Sequence, residues 1–228
     1  MRKWFEPNAG SRTFWTCSGM WCVMLVALVI SVDSAERVLA QSEAESILIE
    51  DFNQPDENGF PKEWDAQRSK TTAQDTYAIG QEDGVSFLKS HNASQRVYTK
   101  NMSWDPKTHP ILTWRWRVRS IDEGAEFIAA VYPSLDVDLM FIPVNTKYVW
   151  SVNQPVGTMK EGGMFGSTEV VIRSGAEQAG EWVEERINVY EDFKEIHEHE
   201  PAPKAWGISL LGGPGVEVDF GSLAVHPK

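Results

Sequence analysis

Short runs in which apolar and polar residues alternate recur from Ser46 to the end of the chain, separated by clusters of Gly, Pro, Asn and Asp. Alternation with a period of two is typical of strands that bury one face, and this spacing of turns is typical of antiparallel all-β domains. The pattern predicts an all-β fold, a single antiparallel β-sandwich spanning residues 41–228. The predicted strands are residues 47–52, 85–90, 96–100, 111–119, 126–132, 137–142, 147–152, 168–173, 182–187, 206–211 and 216–225.

One short helix is predicted near residues 189–199. Asn188 is a residue type that caps helices, and Glu191 follows it at the spacing of a capping box. Pro201 ends the pattern, because proline cannot continue a helix. Apolar residues recur at the helical spacing i, i+4 and i+7, at Val189, Phe193 and Ile196.

The segment around this helix is strongly acidic. Residues 176–200 contain nine acidic residues and only two basic ones. Such a run is typical of a solvated face that aids solubility. The alternative is a docking surface for a basic partner, which would make the protein an envelope assembly or interaction factor.

The first 40 residues have the order of a secretory signal peptide. Basic residues come first, an uninterrupted apolar run follows at residues 21–32, and the small-residue site 38–40 precedes Gln41. The apolar run is shorter than the roughly 20 residues that a membrane span requires, so an uncleaved anchor is only the alternative. We expect cleavage after Ala40, no stable membrane insertion afterwards, and a periplasmic or secreted protein.

Charge and cysteine content narrow the classes of function. The chain has 21 basic and 33 acidic residues, a formal net charge of −12, which disfavours binding to the phosphate backbone of nucleic acids. Both cysteines, Cys17 and Cys22, fall within the predicted signal peptide. The mature chain is therefore expected to lack disulfides, thiolate nucleophiles and cysteine-ligated metal centres. No cofactor is predicted, and a monomer is expected.

The predicted strand 111–119 sorts aromatic and basic residues onto opposite faces, because side chains alternate along a strand. In one interpretation its arginines pair with carboxylates on neighbouring strands. In the other, Arg115 and Arg117 bind an anionic ligand such as an acidic sugar, since the planar guanidinium suits carboxylates. The face assigned to the core carries Leu112, Trp114, Trp116 and Val118, and the opposite face carries Arg115, Arg117 and Arg119.

Asp136 and Asp138 are predicted to share the outward face of one strand, about 6.6 Å apart. They are interpreted first as partners of the arginines. A calcium ion held with further oxygens is a second interpretation. A third makes them acids of a hydrolase or lyase, for which Glu217 and Asp219 are the comparable pair.

Tyr148 and Trp150 are predicted to share one face of the strand 147–152. Aromatic rings on a sheet are a common platform for sugar rings, because they offer flat apolar area with little entropy to lose. They are equally typical of the core of a sandwich. The following segment, residues 153–166, is long and rich in glycine, and it predicts a rim or lid beside such a platform.

Other chemistry finds little support in the sequence. His197 and His199 are two positions apart, and on a helix this separation turns them about 200° from each other, so metal chelation is not expected. The segment Gly212–Gly215 lacks the lysine and following helix of a phosphate-binding loop, and no nucleophile-elbow pattern occurs. The sequence therefore predicts no catalytic residue and no metal ligand among these motifs.

Several motifs resemble an exported bacterial family called domain of unknown function 3047. They are Asp51-Phe52, Leu112 to Val118 with its Trp-Arg-Trp-Arg run, Tyr148-Val-Trp150, Arg173-Ser-Gly175 and Trp182 to Phe193. The resemblance implies export and a β-sandwich and implies no reaction. The chain departs from the family pattern at Ala125-Glu126 and at residues 210–214, where relatives tend to carry clustered aspartates.

The chain is also similar, more loosely, to carbohydrate-binding jelly rolls. Such modules often begin with an Asp-Phe pair and end with an acidic strand, here residues 216–220. The similarity implies a jelly-roll-like sandwich and makes Asp51 and Asp219 candidate ligands of a structural calcium. Fold-level likeness of this kind carries little information about function.

The main hypothesis is an exported, non-catalytic protein that binds a glycan or glycan-like ligand. In it, Tyr148 and Trp150 stack on the ligand and Arg115 and Arg117 bind its polar or anionic groups, with Asp136 and Asp138 beside them. The alternatives are an exported carbohydrate-active enzyme and an envelope assembly factor. The hypothesis requires the arginines and the two rings to converge on one open surface.

Overall fold

The computed structural model describes residues 45–137, 142–162 and 167–228. These residues contain thirteen strands in two sheets and two short helices. The helices are α1 (Lys70–Gln74) and α2 (Val189–His197). The strands are β1 (Ile47–Glu50), β2 (Asp65–Ala66), β3 (Tyr77–Glu82), β4 (Val85–His91), β5 (Val97–Thr99), β6 (Ile111–Ile121), β7 (Phe127–Val137), β8 (Pro143–Ser151), β9 (Met159–Lys160), β10 (Thr168–Ser174), β11 (Val183–Asn188), β12 (Gly207–Gly212) and β13 (Val216–His226).

The two sheets confirm the predicted all-β sandwich. The six-stranded sheet has the order β11-β6-β13-β4-β3, with β1 paired to β13, and the seven-stranded sheet has the order β2-β5-β12-β7-β8-β10-β9. Strand pairs are antiparallel except β8 and β10, which run parallel. The prediction of a purely antiparallel sandwich is therefore refined at one edge, where the segment holding β9 carries the chain back before β10 begins.

The core between the sheets is rich in tryptophan. Along β6, Trp114 and Trp116 point inward and are at most 1% exposed, as their alternation predicted. Their rings lie 5.5 Å apart, nearly perpendicular, and Trp116 contacts Trp150 of the facing sheet at 5.5 Å. Burying each such side chain contributes about 2–3 kcal/mol, so these contacts hold the two layers together.

The predicted helix is α2, and it ends two residues earlier than expected. The Asn188 side chain accepts a hydrogen bond from the Glu191 backbone N–H at 3.1 Å, which confirms the predicted cap. Glu198 then adopts a left-handed conformation with φ of 58° and terminates the helix. Phe193 is fully buried and anchors α2 to the core.

Some elements differ from the prediction. The hairpin β3–β4 turns at Asp83 and Gly84, which have φ of 51° and 79°; an Asp-Gly pair is a sequence signal for such a turn, yet β3 was not predicted. Helix α1, capped by Ser69, was also not predicted. The predicted strand 137–142 is not a separate element in the described residues, since residue 137 ends β7 and β8 begins at Pro143.

The predicted signal peptide and its boundary after Ala40 lie outside the described residues. Within the ranges that the structure describes, no helix is both long enough and apolar enough to cross a bilayer.

Candidate functional site

The two rings proposed as a stacking platform lie inside the sandwich. Tyr148 and Trp150 are each 1% exposed, because β8 directs them toward Trp114 and Trp116 of the facing sheet. The Tyr148 hydroxyl donates to Asp192 Oδ2 at 3.0 Å, and Trp150 Nε1 donates to the Gly175 carbonyl at 2.8 Å. This placement corrects the expectation that their faces meet a ligand, since they are part of the core.

Arg117 and Arg119 are ion-paired on the outer face of the six-stranded sheet. Arg117 Nη2 and Arg119 Nε lie 2.9 and 2.6 Å from Asp219 Oδ2, and both side chains also contact Glu82. Arg117 and Asp219 are direct cross-strand partners on β6 and β13, so the sheet register brings them together. The arginines therefore pair with carboxylates, but with Asp219 and Glu82 instead of the predicted Asp136 and Asp138.

Aromatic rings cover these ion pairs. The Arg117 guanidinium lies 4.5 Å from the centre of the Trp182 ring and 5.5 Å from that of Phe87. Arg115 lies 5.3 Å from Trp182, and Phe87 contacts Trp182 edge to face. The hydrogen bond from Arg117 lowers the pKa of Glu82, so this carboxylate is ionised at neutral pH. We call Glu82, Phe87, Arg115, Arg117, Arg119, Trp182 and Asp219 the arginine cluster.

Asp136 belongs to the other sheet and is remote from the arginines in the topology. It lies near the end of β7, where its Oδ1 accepts a hydrogen bond from the Val137 backbone N–H at 2.7 Å. Its Oδ2 is 3.7 Å from His199 Nδ1. Asp138 lies outside the described residues. The five predicted site residues that the structure describes are thus not brought together on one surface.

The two histidines near α2 do not point away from each other as expected. The left-handed turn at Glu198 takes His199 off the helix, and its ring centre lies 6.4 Å from that of His197. Both rings pack on Phe193. Burial lowers the pKa of His197, and the neighbouring His199 lowers it further. In the described part of the chain, no group of three or more His, Cys, Asp or Glu side chains is arranged to hold a metal ion.

The two candidate calcium ligands are already engaged. Asp51 accepts hydrogen bonds from the backbone and side-chain amides of Asn53, and Asp219 accepts from Arg117 and Arg119. A cation at Asp219 would have to displace two guanidinium groups. These residues therefore do not fit a shared structural calcium site.

The seven-stranded sheet offers a different outer face. Cross-strand pairing places Asp65, Tyr98, Ser209 and Tyr132 in one row across β2, β5, β12 and β7. Tyr98 is half-buried, and so is Trp206, which directly precedes β12; their ring centres lie 6.2 Å apart at an interplanar angle of 32°. The small Ser209 between the tyrosines leaves the space beside Tyr98 open.

A cavity of about 180 Å³ lies beside these two rings. Its polar lining is ordered: the Ser134 hydroxyl donates to Asn145 Oδ1, and Asn145 Nδ2 donates to the Pro143 carbonyl at 2.9 Å. The Arg96 guanidinium is held 5.2 Å from the centre of the Tyr132 ring. The cavity is lined by Gln67, Arg96, Tyr98, Ser134, Pro143, Asn145, Trp206 and Ser209.

A second cavity of about 280 Å³ adjoins the first at Trp206. Its lining includes Lys100, whose ammonium lies 3.8 Å from the centre of the Trp206 ring, together with Asp136 and Lys204. The two cavities therefore share the Trp206 ring as a lining residue. We call the two cavities together the aromatic groove.

Two other cavities are less suited to a ligand with apolar faces. A cleft of about 400 Å³ beside the arginine cluster is lined by Lys89, Ser90, His91, Arg119, Glu217 and Asp219, with no Phe, Tyr or Trp among them. A cavity of about 230 Å³ near β1 is lined mainly by polar side chains and also lacks a ring. The aromatic groove alone among these four combines rings with amide, hydroxyl and guanidinium groups.

The sequence contained a signal for this groove that was not recognised. Arg96, Tyr98 and Lys100 alternate on the predicted strand 96–100, which places a ring between two cations on one face. The predicted strand 111–119 shows a comparable alternation of rings and cations, and the sequence-based hypothesis placed the binding arginines there. Trp206, at the start of a predicted strand, carried no pattern that separates a half-exposed ring from a buried one.

The comparisons with known proteins support the resemblance noted in the sequence. The model of the family described as "Protein of unknown function (DUF3047)" matches residues 142–212. This segment contains β8 to β12 and therefore Asn145, Trp206 and Ser209 of the aromatic groove. A comparison with curated protein sequences gives no match.

Several solved structures are similar to this chain at low identity. One is the K1 cleaved adhesin domain of Lys-gingipain from Porphyromonas gingivalis W83, at 13% identity and a TM-score of 0.43, covering 81% of this chain and 99% of that one. Another is TmCBM27, a carbohydrate-binding module that recognises mannan, at 12% identity and a TM-score of 0.39, covering 81% and 99%. A third is the CBM22-1 xylan-binding domain of Paenibacillus barcinonensis Xyn10C, at 8% identity and a TM-score of 0.40, covering 82% and 97%.

Proposed function

We propose that this protein is an exported, non-catalytic glycan-binding protein and that its ligand lies in the aromatic groove. One observation carries the proposal: the half-exposed rings of Tyr98 and Trp206 lie beside a cavity with an ordered polar lining. The proposed binding surface therefore lies on the outer face of the seven-stranded sheet and differs from the surface that the sequence predicted.

The chemistry of the groove matches that of a sugar. A pyranose ring has apolar C–H patches that pack on flat aromatic rings, and hydroxyls that need both donors and acceptors. Asn145 and Gln67 supply amides, and Ser209 supplies a hydroxyl. The hydrogen bonds from Ser134 to Asn145 and from Asn145 to Pro143 hold the amide in place before a ligand arrives. Such preorganisation reduces the entropy cost of binding.

Binding without catalysis is part of the proposal. Of the acids considered for hydrolysis, Asp219 accepts hydrogen bonds from two arginines, and Glu217 lies 3.0 Å from His91 Nδ1 on the surface. A glycosidase needs two carboxyl groups flanking the scissile bond, one to donate a proton and one to act as base or nucleophile. Asp219 is committed to its guanidinium partners and does not offer a free carboxylate for either role.

Export to the periplasm or the medium, as a monomer, is also part of the proposal. The proposal of export is supported by the basic, apolar and small-residue order of residues 1–40. A glycan-binding protein would meet polysaccharides in that compartment.

Glycan-array screening followed by calorimetry of the purified protein tests the proposal. We expect Trp206→Ala to weaken the affinity for a captured glycan by at least about tenfold, since it removes a ring that lines both cavities. Trp182→Ala is the matched control, because Trp182 is also half-buried but lies on the outer face of the other sheet. It should leave the affinity unchanged.

Two results would contradict the proposal. The first is the absence of binding to any neutral or acidic glycan of the array by a protein with native circular dichroism. The second is binding that survives Trp206→Ala but is lost in Trp182→Ala, which would place the ligand at the arginine cluster.

A further inference from the structure

We infer that the aromatic groove selects anionic glycans, those that carry carboxylate or sulfate groups. This inference rests on the proposed function and adds the class of ligand. It comes from the distribution of charge around the groove in a chain whose net charge is −12.

Three cations line the groove, and none of them has a carboxylate partner in the part of the chain that the structure describes. Arg96 lines the first cavity, and Lys100 and Lys204 line the second. Within the described residues, no carboxylate oxygen lies within 4.0 Å of a side-chain nitrogen of any of the three. A cation without a partner, next to a cavity, is available to a ligand.

Some other cations, both near the groove and on the opposite sheet, are paired with carboxylates. Lys147, on the same outer face, lies 2.8 Å from Glu169. Arg117 and Arg119 share Asp219 on the opposite sheet. Arg96, Lys100 and Lys204 have no such partner among the described residues, and all three line one groove.

Aromatic rings hold two of these cations in place of acids. The Arg96 guanidinium lies 5.2 Å from the Tyr132 ring centre, and the Lys100 ammonium lies 3.8 Å from that of Trp206. A ring attracts a cation through its quadrupole and does not cancel its charge. The positive charges therefore remain directed at the groove.

The acids near the groove have other contacts. Asp136 lines the second cavity, but its Oδ1 accepts the Val137 backbone N–H and its Oδ2 faces His199 at 3.7 Å. Asp65 lies beside Tyr98 across the β2–β5 pair, and it is not among the residues that line either cavity. Among the described residues, three cations and one engaged carboxylate thus line the groove.

The positions of the cations suit a chain of acidic sugars. Arg96 lies in one cavity and Lys100 and Lys204 in the other, with Trp206 between them. A sugar that contacts Trp206 would place the acidic groups of its neighbours beside a cation on either side. Lys100 is exposed and flexible, so its ammonium can leave the ring face and pair with such a group.

Matched ligand pairs test the inference by calorimetry. One pair is oligogalacturonate and its methyl ester, which differ in carboxylate charge, and the other is sulfated and unsulfated dextran oligosaccharides. We expect one acidic member to bind about tenfold more tightly than its neutral counterpart, as charge-assisted hydrogen bonds predict. The preferred pair identifies carboxylate or sulfate as the group recognised. The preference should fall as NaCl rises from about 50 to about 500 mM.

Variants assign the preference to the groove. Arg96→Gln and Lys100→Met should each reduce the ratio of acidic to neutral affinity several-fold. Lys89→Met is the matched control, because it removes the same charge from an exposed site on the six-stranded sheet. It should leave the ratio unchanged.

The failure of this inference is distinguishable from failure of the proposed function. Equal affinity for both members of each pair, with Trp206→Ala still weakening binding, overturns the charge selectivity and leaves glycan binding in place. A preference that Lys89→Met abolishes and Arg96→Gln does not also overturns it. No binding to either pair or to the glycan array removes both.

Discussion

The outer faces of the two sheets carry the same kinds of side chain and use them differently. On the six-stranded sheet, Arg117 lies between Trp182 and Phe87 and is neutralised by Asp219. On the seven-stranded sheet, Arg96 and Lys100 also lie over aromatic rings but have no carboxylate partner among the described residues. On the first face, Arg117 and Arg119 share carboxylates, whereas on the second face the cations beside the groove have none among the described residues.

The difference comes from the residue on the neighbouring strand. Asp219 is the cross-strand partner of Arg117, so the register delivers a carboxylate directly to the guanidinium. On the other face, Ser209 is the cross-strand partner of Tyr98 and Tyr132, and the Tyr132 ring lies under Arg96. A short hydroxyl neither neutralises a cation nor fills the space. An alternation of cations and rings therefore does not by itself mark a binding site.

Removing Asp219, the carboxylate that pairs with Arg117, should have the largest effect on stability. Asp219→Ala leaves the buried Arg117 guanidinium without its main partner, and we expect a loss of about 3 kcal/mol in the free energy of unfolding, because Glu82 still contacts the arginine. Urea denaturation measures it. The double variant Arg117→Met with Asp219→Leu should recover most of the loss, and glycan affinity should be unchanged in both.

Removal of a carboxylate from the seven-stranded sheet is the control. Asp65→Ala removes an exposed carboxylate from β2 and should alter the unfolding free energy by less than about 0.5 kcal/mol. Equal losses for Asp65→Ala and Asp219→Ala would show that the two faces do not differ as described.

Adding a carboxylate beside the unpaired cations of the seven-stranded sheet should have an intermediate effect. Ser209→Asp introduces a carboxylate between Tyr98 and Tyr132, near Arg96. We expect it to pair with Arg96 and to weaken binding of an acidic glycan by about tenfold, because the ligand then meets a like charge. Calorimetry measures this change. Ser209→Asn, which has nearly the same shape without the charge, should weaken acidic and neutral glycans equally. Tighter acidic binding in Ser209→Asp would contradict the comparison.

The smallest effect concerns His197 of helix α2, which contacts Thr146 on β8 of the seven-stranded sheet. Burial and His199 lower its pKa below its ordinary value near 6.5, so the unfolded chain takes up a proton at a higher pH than the folded one. Its contribution to stability is present above about pH 6.5 and is lost as pH falls through the lower folded pKa.

His197→Gln should therefore flatten part of the decline in unfolding free energy between about pH 7 and about pH 5. The pKa of His226 is also lowered by burial, so this residue still contributes to the decline of the unfolding free energy in the variant. Urea titrations at several pH values measure this. An unchanged slope in His197→Gln would show that this histidine is equally free to protonate in both states.

The local pattern of the sequence was enough to predict the layers of the fold. Alternation along β6 correctly directed Trp114 and Trp116 to the core and the arginines outward. The Asn188 cap was read from residue type and spacing alone. These features depend on the backbone within a few residues, where side-chain direction and hydrogen bonding follow from the period of the strand or helix.

Partners distant in the chain decided what those residues do. Arg117 pairs with Asp219, 102 positions away, while the predicted partner Asp136 lies on the other sheet. Tyr148 and Tyr98 sit on similarly alternating strands, yet one faces Trp114 across the core and the other faces solvent. Alternation separates the two faces of a strand but does not say which face the second sheet covers, because that depends on how the sheets stack and on which strands become neighbours.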